Sequence, residues 1–387
     1  MSTITTDAYI TPEIIEWARK RRNYSIHTLA DRIQINPQKI EAWEKGDARP
    51  SFDEAQILAK KLYIPFGYLY LSKPPAESFP LPDLRTITKR DHIRPSPDFL
   101  DVLYDALRKQ DWYRQNQESN GAESISFIGK FTLNDSPEII AQDIRNTLEI
   151  DDNMRQRAAN WELFLTDLIR QSETKGILVI RQGIVGNNNY RKLSVDEFRG
   201  FAISDKMAPL VFINDQDVKV AKIFTLAHEL AHLWIDKSGI SNLDYFRKSS
   251  EQKNAIDQFC DKVAAEVLTP ASDFKSIWGF QPSIEENIDY MVRRYRVSRF
   301  VVLRRAYDLR LITYDDYLNY YQRFLEDKII PKSTEMGFTT LLLNRNSRLF
   351  TSTLLSSTTE GRVSYLKAAR LLNIKVKALQ NIRDRLL

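Results

Sequence analysis

Apolar positions recur at helical spacing through the first seventy residues. Ile14, Ile15, Trp17 and Ala18 mark a helix over Pro12–Arg22. Ser25 reads as the N-cap of a second helix through Leu29, Ala30 and Ile33. Asn36-Pro37 supplies a cap and a first-turn proline for a third, Gln38–Glu44, which Gly46 ends. Ala55, Leu58, Ala59 and Leu62 share one face of a fourth over Phe52–Leu62, and a short helix around Tyr68–Leu71 closes the unit. Further along, the pattern predicts helices at about 98–118, 136–148 and 152–173. The apolar runs Gly176–Ile180, Phe198–Ser204 and Pro209–Ile213 then predict strands, the last two a hairpin across Asp205–Ala208. Helices follow at about 218–237 and 251–268. The remainder, 271–387, reads as mostly helical with a polar break at Pro331–Gly337. The fold class is therefore α+β, with an all-α N-terminal bundle, a domain holding a small sheet, and a helical C-terminal region.

Proline punctuates this pattern. Seven of the 15 prolines fall between Pro65 and Pro97, and Pro74–Pro97 reads as an extended linker, packed in part through Leu81, Leu84 and Ile87. The expected divisions are 1–73, the linker 74–97, 98–280 and 281–387. A length of 387 residues suits two to three domains. The single cysteine, Cys260, excludes a disulfide scaffold and a multi-cysteine zinc module. No apolar run approaches the ~20 residues that span a bilayer, and the first residues lack the basic and apolar regions of a signal peptide, so a cytoplasmic protein is expected. The net charge of +5 permits nucleic-acid binding without requiring it. None of the 12 glycines forms a phosphate-cradling loop.

The most specific chemical signal is Ala227-His228-Glu229-Leu230-Ala231-His232. Histidines at i and i+4 lie on one helix face about 6 Å apart, so both imidazoles can reach one zinc ion. The glutamate between them stands beside the metal, positioned to take a proton from water. A third ligand is needed, and the next helix offers Asp257, Asp261 and Glu266. Asp257 and Asp261 share a face, which suits one ligand, Asp257, and one acceptor for a histidine N–H, Asp261. Glu266 is the rival ligand, a longer carboxylate two turns on. Cys260 points about 100° from Asp261 and reads as a buried core thiol. Tyr245 and Tyr290 are candidate donors to a tetrahedral oxyanion. If a strand of the small sheet lies open beside the metal, it can hold an extended peptide by strand addition.

A second constellation lies in the N-terminal bundle. Ser25–Ile33, a turn, and Pro37–Glu44 fit a helix-turn-helix, with Gln38, Lys39, Ala42 and Lys45 free to face a groove of double-stranded DNA. Arg19, with Lys20, Arg21, Arg22, Lys60 and Lys61, is a candidate phosphate contact. Residues 1–73 carry 11 Lys+Arg against 9 Asp+Glu, a net of only +2. Glu41 and Glu44 oppose phosphate on the recognition helix. The arginines between Arg293 and Arg310, interleaved with Tyr295, Phe300 and Tyr307, form a second basic segment that reads as a salt-bridged helix face or a further nucleic-acid surface.

These residues also carry a family resemblance. Phe224–Leu233, with Phe259-Cys260-Asp261-Lys262-Val263-Ala264-Ala265-Glu266-Val267-Leu268-Thr269-Pro270, resembles the ImmA/IrrE zinc metallopeptidases. Ile40–Gly46 with Arg49-Pro50 resembles XRE-type regulators, and Leu81–Thr86 is similar to the joint of members that fuse both modules. The resemblance implies a gluzincin-like Zn2+ site and a regulatory protein as substrate, often a helix-turn-helix repressor. For other fused members it implies an antitoxin role with a cognate toxin as partner, and paired half-sites would call for a homodimer. It also implies a helix-turn-helix-like segment over Val297–Leu311. The chain departs from the family at Asp257, where Glu is usual, at Asp261, where Asn is usual, and at Ile26, where Gln is common.

Overall fold

The computed structural model describes residues 6–75, 95–217, 221–241, 255–326 and 337–386. They divide into two compact units, 6–75 with 95–100, and 101 onward. The expected linker contacts at Leu81, Leu84 and Ile87, the joint Leu81–Thr86, Tyr245 and most of the break at 331–336 lie outside the described residues.

The first unit is built from α1 (Pro12–Arg21), α2 (Ile26–Ile33), α3 (Pro37–Lys45), α4 (Phe52–Leu62) and a 3-10 turn at Phe66–Tyr70. Its caps explain its boundaries. Ser25 Oγ accepts from Thr28 N at the head of α2, and Asn36 Oδ1 accepts from Gln38 N at the head of α3. Gly46 ends α3 with φ +80°, a left-handed position that an L side chain resists. Ser51 and Glu54 form a capping box on α4. Ile14, Ile15, Leu29, Ile40, Trp43, Leu58 and Leu69 close the core between them.

The second unit opens with α5 (Pro97–Ser119, shared with the first at its start), α6 (Pro137–Thr147), α7 (Asp152–Arg157) and α8 (Trp161–Thr174). The single helix expected over 152–173 is two. Ala158 leaves helical geometry, and Asn160 restarts the chain by accepting from Leu163 N at 2.9 Å. Strands β1 (Leu178–Gln182), β2 (Gly200–Ile203), β3 (Leu210–Asn214) and β4 (Gly239–Ser241) form a sheet in the order β1-β3-β2-β4. β2 and β3 pair antiparallel as the expected hairpin, and β1 runs parallel to β3.

β4 was not legible as a strand, and it changes the sheet. Paired antiparallel to β2 from Gly200↔Ser241 to Ala202↔Gly239, it leaves neither hairpin strand as an edge. The helix α9 (Ala221–Trp234) is buried along its whole length. Val179, Ala202, Val211 and Ile213 share a core with Leu226, Ala227 and Leu230 of α9. On the opposite face Phe201 and Phe212 stack with ring centroids 4.7 Å apart.

The rest is helical: α10 (Ala255–Leu268), α11 (Ala271–Ile277), α12 (Ile284–Tyr295), α13 (Arg299–Asp308), α14 (Tyr314–Glu326), α15 (Phe338–Asn346), α16 (Arg348–Thr359), α17 (Tyr365–Leu371) and α18 (Val376–Leu386). The chain is thus α+β, with a helix-turn-helix bundle, a small-sheet domain and a helical C-terminal region. No helix among the described residues is long and apolar enough to cross a membrane.

Candidate metal centre and nucleic-acid interface

The helical period puts His228 and His232 one turn apart on the buried face of α9. Their second nitrogens fix their state. His228 Nδ1 lies 2.9 Å from Asp261 Oδ1, and His232 Nδ1 lies 3.1 Å from the Lys237 carbonyl oxygen. A carbonyl and a carboxylate only accept, so each Nδ1 carries the proton and each Nε2 presents a bare lone pair. Those two Nε2 atoms face each other at 3.1 Å. Two lone pairs at that distance repel unless a cation lies between them. Zinc–nitrogen bonds of about 2.0–2.1 Å in a tetrahedron place their nitrogens only slightly further apart.

Asp257, in the first turn of α10, adds an oxygen 3.5 Å from His232 Nε2. One atom from each of His228, His232 and Asp257 lies within 4.8 Å of the other two. The donor set, two imidazoles and a carboxylate, suits Zn2+.

The other carboxylates go elsewhere. Asp261 sits on the same face of α10 as Asp257 and holds His228. Glu266 is taken by the Arg305 guanidinium and by Ala271 N, so it is not in the donor set. The end of α10 explains why. Arg155 donates to the Leu268 and Val267 carbonyls at 2.8 and 3.3 Å, Arg305 to the Thr269 carbonyl at 2.9 Å, and Arg145 to the Glu266 carbonyl. Three guanidiniums thus satisfy the chain end that a helix leaves unbonded. Burial pulls Arg155 down to about 10. Cys260 is fully buried, and burial, with Asp257, Glu229 and Asp261 nearby, pushes its thiol well above its usual range. That is the core thiol expected from the sequence.

Glu229 is fully buried beside the two histidines. Its position is tied to a glycine that sequence reasoning passed over. A Cβ on Gly200 of β2 would lie 2.8 Å from Glu229 Oε1, 2.7 Å from Thr225 Cγ2 and 2.9 Å from the Phe212 carbonyl oxygen. Gly239 of β4 does the same for His232, where a Cβ would lie 2.7 Å from Cε1. Two bare backbone positions therefore let the sheet close on the helix. The signal was present, since glycine inside a strand pattern marks close approach. Tyr290, the other oxyanion candidate, lines a hollow with Arg155, Arg293 and Arg294 that contains none of the metal-site residues.

In the first unit, Gln38, Lys39 and Lys45 of α3 are exposed and Ala42 is half-buried. Lys39 Nζ lies 2.5 Å from Glu54. Arg19 departs from the phosphate contact expected of it. It is buried, its Nε and Nη2 fork onto the two Glu44 oxygens at 2.7 Å each, and Nη1 donates to the Tyr24 carbonyl. It ties α1 to α3, and Glu44 is thereby neutralised rather than set against phosphate. The arginines of α12 and α13 are largely paired: Arg294 with Asp273, Arg299 with Asp289, Arg304 with Asp308. A salt-bridged face is what those three make.

The fold and the site define a helix-turn-helix protein joined to a domain with the donor set of a zinc peptidase. Residues 15–69 match the helix-turn-helix family model, and residues 173–307 match the model of the IrrE N-terminal-like domain, a peptidase family. The two matches agree with the fusion of an XRE-type helix-turn-helix domain and an ImmA/IrrE-type domain that the sequence resembles. No curated protein and no solved structure matches it.

Proposed function

We propose that this chain is a DNA-binding regulator and a zinc-dependent endopeptidase that cleaves a regulatory protein such as a helix-turn-helix repressor. The observation that carries the reading is the pair of bare Nε2 atoms facing each other beside the Asp257 carboxylate. His228, His232 and Asp257 would hold the ion, which when bound supplies Lewis acidity toward a peptide carbonyl and makes water easier to deprotonate. Glu229 takes a proton from the attacking water at its carboxylate and passes it to the leaving amine. Its burial in the core keeps bulk water from competing for that proton. Asp261 and the Lys237 carbonyl hold both imidazoles in the tautomer that leaves Nε2 free. Gln38, Lys39, Ala42 and Lys45 are assigned to the DNA groove.

The test separates metal from chemistry. Wild type carries about one zinc by mass spectrometry, and His228→Ala and Asp257→Ala lose it. Glu229→Gln keeps the metal but cleaves no neighbouring gene product. Cleavage that survives in Glu229→Gln overturns the mechanism.

One observation favours a second reading. Asp257 is one methylene shorter than the family's glutamate and only half-buried at its helix start. On that reading the ion is structural and the chain acts as a non-proteolytic regulator or antitoxin. Operator binding that persists in chelator, with no cleavage in its absence, selects it.

A further inference from the structure

We propose that the cleft between α8, β1 and α15 binds a small organic anion with an apolar body. It is a site separate from the metal centre, and the proposal stands whether or not the domain is a peptidase.

The cleft encloses ≈700 Å³, within the range of small-molecule sites. Leu165 and Trp161 of α8, Val179 of β1 and Leu343 of α15 give it apolar walls. Two guanidiniums line it, and among the described residues no hydrogen bond engages either side chain. Arg181 follows Val179 by two residues on β1, so both side chains reach the same face of the sheet. Arg181 Nε is buried and makes no hydrogen bond. The nearest carboxylate to it, Asp215, is 3.8 Å away, beyond hydrogen-bond reach, and Lys222 Nζ already holds that carboxylate at 2.5 Å. Arg348, the first residue of α16, is exposed, and among the described residues no hydrogen bond or ion pair engages its side chain.

Most acids along the cleft are engaged. Asp167 pairs with Arg170, Asp217 with Arg199, and Glu173 accepts from Ser347 Oγ and from the Arg348 and Leu349 amides. The Arg181 Nε and the Arg348 guanidinium are left to receive an acceptor. A buried N–H without an acceptor destabilises a fold, and an anionic ligand head removes that penalty. The apolar walls beside it call for a body that is not simply inorganic. Carboxylate, sulfonate and phosphate monoester heads share the chemistry. Lys222 stands in the first turn of α9, so an occupied cleft reaches the helix that carries His228 and His232.

Isothermal titration calorimetry on the full chain tests this. The probes are 1-naphthoate, decanoate, phenyl phosphate, inorganic phosphate and the neutral 1-naphthamide. At least one organic anion binds at one per chain, and inorganic phosphate and 1-naphthamide bind at least about tenfold more weakly. Arg348→Gln weakens the organic anion by about tenfold, the worth of one charge-assisted hydrogen bond. Arg181→Gln does the same, and if it fails to fold, Arg348→Gln at its exposed position decides alone. The proposal is overturned by three organic anions that show no saturable binding at millimolar concentration. It is also overturned by 1-naphthamide binding as tightly as 1-naphthoate, or by affinity unchanged in the folded arginine variants.

Discussion

His228 and His232 are held by different kinds of partner, and that difference is measurable. The Asp261 carboxylate accepts from His228 Nδ1 at 2.9 Å. Asp261→Ala removes that acceptor, and zinc affinity should fall about 10–100-fold in a competition titration. Asp261→Asn keeps an oxygen in place and should retain most of the affinity. Gly200→Ala tests the sheet's approach to Glu229. Its methyl group meets both Glu229 Oε1 and the rigid Phe212 carbonyl, so the variant should lose about 1–3 kcal/mol of stability by denaturant unfolding. At this scale the sequence was legible where chemistry is written in spacing: His228, Glu229, His232 and the paired Asp257 and Asp261 all follow from a helical repeat. Gly200, Gly239 and the Lys237 carbonyl were not singled out, because the first two act through what they lack and the third is backbone. Arg19 was misread because a guanidinium on a surface helix and one forked onto Glu44 look alike until the two helices are packed.

Helices were legible through their caps. Ser25 and Asn36 announce α2 and α3 before any packing is known, whereas α4 was read from its apolar face and its Ser51 cap was passed over. The break between α7 and α8 was missed because the apolar pattern runs across it, although Asn160 carries the cap. β4 was missed because three residues cannot show a period. Two element-level roles needed the structure entirely. One is the set of arginines on the end of α10. The other is Glu173, which sits at the head of α16 and accepts from Ser347 Oγ at 2.5 Å and from two amides. Burial raises the Glu173 carboxyl above its ordinary value despite those donors. A raised folded-state value means that the folded chain holds its proton more tightly than the unfolded chain does. The contribution is then full below the ordinary carboxylate range and declines as pH rises through the raised value. Glu173→Gln offers an oxygen to the same donors without the charge. Its free energy of unfolding in denaturant should match or exceed wild type at pH 7, by up to about 1 kcal/mol, and should fall less steeply between pH 4 and 7. A steeper fall would count against the buried charge as the cause.

For the whole molecule, the sequence indicated the N-terminal bundle, the small-sheet domain and the helical remainder, and the family comparisons cover 15–69 and 173–307. The two units have separate cores. Chelation should therefore lower the melting transition of the second unit, by the linkage that binding to the folded state alone produces. Operator binding by the first unit should be unchanged in the same chelator, as read by fluorescence anisotropy. Loss of DNA binding on chelation would show that the metal domain is needed to present α3. The C-terminal helices belong with the second unit: α15 packs on β1, and Glu173 joins α8 to α16. A chain cut before Phe338 would lose that packing along with one wall of the cleft.

The Lys237 carbonyl on His232 has a consequence of its own. Every residue type carries a backbone carbonyl, so no point substitution at position 237 deletes that acceptor, whereas a single base change can remove the one at Asp261. The two ligands therefore differ in how exposed they are to inheritance. One can drift toward weaker or stronger metal binding by single mutations in α10. The other changes only when the turn between α9 and β4 is rebuilt.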